Sequence, residues 1–221
     1  MAQSDERNRQ VRERARENIL LSAIELFGEK GVSGASIAEI TRRAGVAQGL
    51  ANYHFGGKDQ LVGAVIDKWF EVLFAIPQWT GSPDDMLAGI IDGVLRATGF
   101  ALPLQRAVLA IQQQPDTHRL FAESEQRFRE QAAAAEDIVR GMFRDRGAVD
   151  PALEEVMLRS TLEGIVIKYA VYGDSFPLED ARRWMYRLYE LREPEEPLPL
   201  DLAPRDDELR LRAIRAVRPV R

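Results

Sequence analysis

Residues 36–61 read SIAEITRRAGVAQGLANYHFGGKDQL. Ser36 stands three residues before Glu39, the spacing of a capping box, in which the two side chains satisfy amides that the first helical turn leaves open. Ile37 and Ile40 give the short helix that follows an apolar side. Ala44-Gly45-Val46 forms a turn, Gln48 to Phe55 a second short helix, and Gly56-Gly57 its end. Two short helices around a tight turn are the layout of a helix-turn-helix, a device for placing the second helix in the major groove of DNA.

Within that second helix, Gln48 and Asn52 lie four residues apart and share a face. Their amides can pair bidentately with the N6 and N7 edge of adenine, each good contact giving about 1 to 3 kcal/mol of discrimination. Ala51 and Phe55, also four apart, point inward. Leu50 lies between the two faces, where it either touches a thymine methyl or packs, and Gly49 is assigned to the DNA-facing side with it. Tyr53, His54 and Lys58 end this helix and open the next, a position from which their polar groups reach phosphates and fix the docking without reading sequence. For His54, a buried or capping ring is an equal alternative. Ser36 and the amides of Ala38 and Glu39 form a further anion site at a helix N-terminus. Of Arg42 and Arg43, one is expected only to face solvent.

The charge distribution fits this assignment. The 221-residue chain carries a formal charge of −5, yet residues 1–58 hold nine Lys and Arg against seven Asp and Glu, so the excess of acid lies beyond residue 58. A basic head on an acidic body is what contact with nucleic acid favours. Arg7, Arg9 and Arg12 form an N-terminal arm that either meets the DNA backbone or stays solvated. With no cysteine and two histidines, disulfides, thiolate chemistry and a histidine-rich metal site are excluded. No nucleophile stands with a base, no Gly-rich phosphate loop occurs, and neighbouring acids such as Glu154-Glu155 point apart. The expectation is a non-enzyme without cofactor. The N-terminus lacks an apolar leader, and Leu61 to Trp79, read as the most apolar stretch, is interrupted by Asp67, Lys68 and Glu71, so a cytoplasmic protein with no membrane contact is expected.

Apolar residues recur at helical spacing along the whole chain, and runs of alternating β-branched residues are missing, which predicts an all-α fold. The first helix is predicted from about Val11 to Glu29 with Gly31 near its cap, and a fourth from Lys58 to near Pro77. Ser82-Pro83-Asp84-Asp85 marks a further start. Others fall at Pro103, Pro115-Asp116, Asp150-Pro151 and Pro177, giving helices over 83–99, to about Gln113, 116–146, 151–172 and 177–192. Glu193 to Pro199 reads as an extended linker, and 205–217 as a charged terminal helix. The domains follow as 1–58 for DNA binding, 59–193 for ligand binding and dimerisation, and 194–221 for the linker and tail.

The segment closely resembles the tetracycline-repressor (TetR) family of bacterial regulators. Ile37, Ile40, Ala44-Gly45-Val46, Gly49, the Tyr53-His54-Phe55 end, Lys58 and Leu61 carry the resemblance, in register with a basic first helix. It spans roughly 50 residues; beyond them only the number and order of helices agree. Ala47, Gln48, Gly49, Leu50 and Ala51 stand where many members have serine or threonine, lysine, glycine, threonine and leucine, and Asn52 where many have tyrosine. The resemblance therefore does not carry over an operator sequence. The missing hydroxyl at Ala47 also leaves Gln48 without a side-chain cap before it.

The resemblance implies a homodimeric repressor on a palindromic operator, released when a small molecule enters an all-α body. It places dimerisation on the last two body helices, through Leu153, Met157, Leu178, Ala181, Met185 and Leu188. The residues permit this, since the first of the two helices is apolar on more than one face. Trp69, Phe100, Phe121, Phe128 and Tyr169, with Trp79 and the polar His118, are candidates to line a cavity for an apolar or aromatic ligand. Residue by residue, the alternative is that the rings fill a core and that His118 is solvated. A DNA-binding regulator with a solidly packed body, controlled by a protein partner or by no ligand, is the competing function.

Overall fold

The structure, a computed structural model, describes residues 2–74 and 81–200, with side chains from Glu6 onward. Among them are nine α-helices and two 3₁₀ turns and no strand, the all-α fold expected. The helices are α1 (Ala2–Gly34), α2 (Ile37–Arg43), α3 (Gly49–Phe55), α4 (Lys58–Phe74), α5 (Pro83–Gln112), α6 (His118–Arg127), α7 (Arg129–Asp145), α8 (Pro151–Tyr172) and α9 (Leu178–Leu188). Trp79, the predicted end of α4 near Pro77 and the 205–217 helix lie outside the described residues.

Where local chemistry stops a helix, expectation and structure agree. Gly31 has φ 73 and kinks α1. Ser82 and Asp85 cap α5 reciprocally, with Asp85 N–H donating to Ser82 Oγ at 3.2 Å and Ser82 N–H to Asp85 Oδ2 at 3.1 Å. Asp150 accepts the Leu153 amide at 3.0 Å ahead of Pro151. Elsewhere the helices differ. α1 starts nine residues before Val11, carried by the Glu6–Arg9 and Glu6–Gln10 pairs at helical spacing, which stabilise a turn without an apolar face. α5 continues through Pro103. A proline in a helix costs a hydrogen bond and about 3 kcal/mol, but Leu95, Leu104, Ala107 and Val108 around it are all buried and hold the helix together. The predicted 116–146 helix is broken at Phe128, whose φ −100 and ψ 9 leave the helical range. With Pro103 inside it, α5 reaches a mean hydropathy of 1.4 over 18 residues and is long and apolar enough to cross a membrane, more so than Leu61 to Trp79; part of that window is buried in the protein.

The chain forms two compact units. Unit 1 comprises residues 1–70 and 103–127. In it α1 packs on both α2 and α3, around buried Ile19, Ala23, Phe27, Ile40, Ala51 and Phe55. A Cβ on Gly28 would come within 3.2 Å of Arg106 Cβ and 3.4 Å of the Ala107 amide, so α1 and the end of α5 meet almost backbone to backbone. Asp67 on α4 pairs with Arg127 on α6 at 2.6 Å.

Unit 2 comprises residues 71–102 and 128–221. Its core joins Leu87, Ile91 and Leu95 of α5 to Phe143 of α7, Leu158, Leu162 and Ile165 of α8, and Met185 of α9. Arg182 is buried here and forks onto Asp92, both bonds at 2.7 Å. Burial opposes its charge, but the Asp92 bonds outweigh that and raise its pKa. The same guanidinium donates to the Glu196 carbonyl at 2.9 Å, and Leu198 N–H donates to Glu179 at 2.9 Å. The stretch predicted as a linker is thus a strap: it lacks helix, as its prolines dictate, but its Leu198 sits in the core, as does Leu191 just before it.

Candidate nucleic-acid interface

Helices of seven residues are marginal alone, so α2 and α3 depend on caps and on α1. Ser36 Oγ accepts the Glu39 amide at 3.1 Å. That amide is therefore occupied, and the predicted anion site at Ser36, Ala38 and Glu39 loses one of its donors; Ser36 and Ala38 remain exposed or partly so. At the other end Gly45, with φ 67, directs its amide to Arg42 O and the Val46 amide to Thr41 O at 3.0 Å, closing the helix in a Schellman arrangement. Thr41 is buried and returns its hydroxyl to Ile37 O at 2.9 Å. Ion pairs of Lys30 and Arg43 fasten α2 to α1. Lys30 meets Glu39 at 2.5 Å, and Arg43 forks onto Glu29 at 2.7 and 3.0 Å. These bonds hold the Glu39 and Glu29 carboxyls below the usual range. Arg43 is consumed by the scaffold, while Arg42 is exposed, as expected for one of the two.

α3 begins at Gly49. Gln48, expected as the first helical residue, is instead the N-cap, at φ −56 and ψ −35, and makes no side-chain cap. Gly56, with φ 84, ends the helix by donating to Asn52 O at 2.8 Å. Between these ends the two faces separate cleanly. Ala51 and Phe55 are buried, Leu50 is half-buried, and Gln48, Gly49, Asn52 and Tyr53 are exposed. Lys58 is half-buried at the start of α4. Arg16 of α1 lies over the Phe55 ring, 5.0 Å from its centroid. Sequence reasoning misses this pairing, because 39 residues separate the partners and nothing local links them.

His54 sits edge-on to Tyr53, with centroids 5.0 Å apart. Its Nε2 is covered and has no hydrogen-bond partner among the described residues. Burial, then the charges of Arg16 and Arg12, push its pKa below the ordinary 6.5. The ring is therefore neutral near pH 7 and half-buried.

The remaining candidates fall in both units. Trp69, Phe121 and His118 belong to unit 1, and Phe100, Phe128 and Tyr169 to unit 2. Trp69 is edge-on to Phe70 at 4.9 Å, tilted on Phe121 at 5.9 Å, and donates its indole N–H to Gln105 at 3.1 Å. Tyr169 is part of the unit 2 core and Phe128 stacks on Phe74. His118 is exposed, its Nε2 3.3 Å from Gln112 O. Among the dimerisation candidates, Leu153, Met157 and Leu188 are exposed. Leu178 and Met185 are instead in the protomer's own core, with Ala181 packed against it, so the α9 stripe read as partner-facing is turned inward except at Leu188. The sequence could not separate the two, because a helix that packs on its own core shows the same stripe.

A capped short helix, a glycine turn and a polar-edged second helix packed on a long first helix define a helix-turn-helix protein. Residues 19–65 match the family described as bacterial regulatory proteins, tetR family. An HTH-type transcriptional repressor of Mycobacterium tuberculosis is 50% identical over 56 residues, which cover 25% of this chain and 30% of that protein. The match thus spans under a third of that relative's length. The regulator BetI of Ectopseudomonas mendocina is 26% identical over 195 residues, 80% of this chain and 92% of its own. Among solved structures, FadR of Bacillus subtilis in complex with stearoyl-CoA superposes with a TM-score of 0.62 at 17% identity, over 78% of this chain and 96% of that one. The likeness to the tetR family is carried by residues 19–65.

Proposed function

We propose that the protein is a DNA-binding transcriptional regulator that works as a homodimer in the cytoplasm, without catalysis, and represses from a palindromic operator. The observation that carries this is the two-sidedness of α3. Ala51 and Phe55 anchor it, and Gln48, Asn52 and Tyr53 stand in solvent. Gln48 and Asn52 would read base edges, and Tyr53 and Lys58 would grip the backbone.

The second subunit would dock on α8. Leu153, Val156, Met157, Ser160, Gly164, Ile167 and Val171 follow helical spacing along one side that is largely exposed, and a Cβ on Gly164 would meet nothing within 4 Å. Trp184 and Leu188 of α9 are exposed as well. A self-complementary apolar patch fits an isologous dimer, whose two α3 helices would enter major grooves about 34 to 36 Å apart. As a functional division we propose 1–58 for DNA binding and 59–193 for ligand binding and dimerisation, although 59–70 and 103–127 pack with the head in unit 1.

Release by a small apolar or aromatic ligand in the body extends the same reading, supported by the FadR structure that holds stearoyl-CoA and by the repressor name of the mycobacterial relative. A ligand that loosens DNA binding must itself bind less tightly to the DNA complex, by the same factor. Fluorescence anisotropy with a labelled duplex from the protein's own promoter tests the core of the proposal. Binding should be lost in Gln48→Ala/Tyr53→Ala/Lys58→Ala; wild-type affinity in that variant removes α3 from the interface.

A further inference from the structure

Arg9, Arg12 and Arg16 follow one another three and four residues apart on α1 and so share a face. With Tyr53 and His54 they line an open cleft of about 520 Å³. One wall of this cleft is therefore the basic start of α1, and the other is the C-terminal end of the helix assigned to the major groove. The acids Glu6 and Glu13 also line it. Glu6 is engaged by Arg9 and Gln10. Arg12 donates to the Asn8 carbonyl, at 3.3 Å, and Arg16 lies over the Phe55 ring. Neither has an acidic partner among the described residues. Tyr53 is 65% exposed, and His54 Nε2 is covered without a partner.

We propose that this cleft is a second, sequence-independent DNA site, in which a backbone phosphate sits between Arg12, Arg16 and the Tyr53 hydroxyl. The proposal rests on the reading of α3 as the groove-entering helix, and goes beyond it by adding a contact from a different element. A helix in the major groove has a phosphate strand beside each end, so a cleft opening at the end of α3 faces backbone, not bases. Guanidinium forks match phosphate oxygens in pairs, and a tyrosine hydroxyl adds a further donor. The Glu13 carboxylate repels the same phosphate and keeps the contact weak. α1 thereby does two jobs: its buried half carries the head, and its exposed half adds salt-sensitive grip.

The test is the salt dependence of affinity, measured on the operator duplex and on an unrelated duplex of equal length. Removing one phosphate-binding side chain should reduce the slope of log affinity against log salt by about 0.9. Arg12→Gln/Arg16→Gln should weaken both duplexes by a similar factor and lower the slope by about 1 to 2. Arg12→Lys/Arg16→Lys should restore it. Because Arg16 also packs on Phe55, Arg12→Gln alone is the cleaner variant, with an expected slope decrease of about 0.9. Glu13→Gln should tighten both duplexes. An unchanged slope in Arg12→Gln, or a loss confined to the operator, overturns the proposal. If the wild type shows a Gln48-dependent preference for its operator and Arg12→Gln leaves the slope unchanged, only this site fails. If the wild type binds neither duplex, the reading of α3 fails with it.

Discussion

α3 and α8 both leave a row of side chains in solvent, and the chemistry of the two rows is opposite. On α3 the exposed residues are Gln48, Asn52 and Tyr53, amides and a hydroxyl that water solvates well. On α8 they are Leu153, Val156, Met157, Ile167 and Val171, which water does not. A polar edge can remain exposed until DNA arrives. An apolar one of this length favours permanent cover, since contiguous apolar surface mostly marks an interface. The contrast extends to what supports each row. α3 rests on short-range caps at Gly45 and Gly56 and, through Phe55, on α1, whereas the α8–α9 region rests above all on the Arg182–Asp92 pair between residues 90 positions apart.

The strongest way to separate the two regions is to break that pair. Arg182→Ala leaves the partly buried Asp92 uncompensated and frees the 191–200 strap, and should cost about 3 to 5 kcal/mol of unfolding free energy. In urea denaturation the loss should fall on unit 2. An equal loss in the stability of the α1–α3 head, followed by hydrogen exchange, would mean that the two regions are not supported separately. Next in size is Met157→Asp on α8. It should convert the proposed dimer to monomer in sedimentation at micromolar concentration, and weaken binding to the proposed operator although no residue assigned to DNA contact has changed. An unchanged dimer would move the interface elsewhere.

A smaller effect tests the head alone. The folded protein holds the His54 pKa below 6.5, so the unfolded chain takes up a proton first as pH falls. The stability contribution is complete above 6.5 and is lost as pH drops through the depressed folded value. From about pH 7.5 to about pH 5.5 the wild type should lose more thermal stability than His54→Gln. Glu29 and Glu39, held below 4.5 by Arg43 and Lys30, titrate in a lower window and do not confuse the comparison. Equal losses in the two proteins would show that His54 is not strained by its burial.

The same contrast explains what could be read from the sequence. The head was legible nearly residue by residue, because its determinants are local: Ser36 with Glu39, Gly45, the i,i+4 pairs of α3, and Gly56. The body was legible in its starts, Ser82-Asp85 and Asp150-Pro151, but not in its faces. Pro103 reads as a boundary, and burial of its neighbours overrides it. Leu178 and Met185 read as a partner stripe, and the protomer uses them itself. Leu198 sits in a proline-rich stretch that looks solvated, yet it is tied down by Glu179 and by the Arg182 bond next to it. α1 before Val11 lacks apolar periodicity and is held by charge pairs instead. In each case the deciding partner lies far away in sequence or outside the hydrophobic pattern.

In the proposed regulator the exposed edge of α3 reads DNA while its buried side only holds the helix. Selection from a random duplex library, run in parallel with the wild type and with Gln48→Ala/Asn52→Ala, tests this most directly. The wild type should enrich a palindrome with half-sites about one helical turn apart. The variant should melt at the same temperature, since both side chains are exposed, and lose about 1 to 3 kcal/mol of discrimination for each base-reading side chain removed. Enrichment of the same palindrome by both proteins, to the same extent, would contradict the assignment.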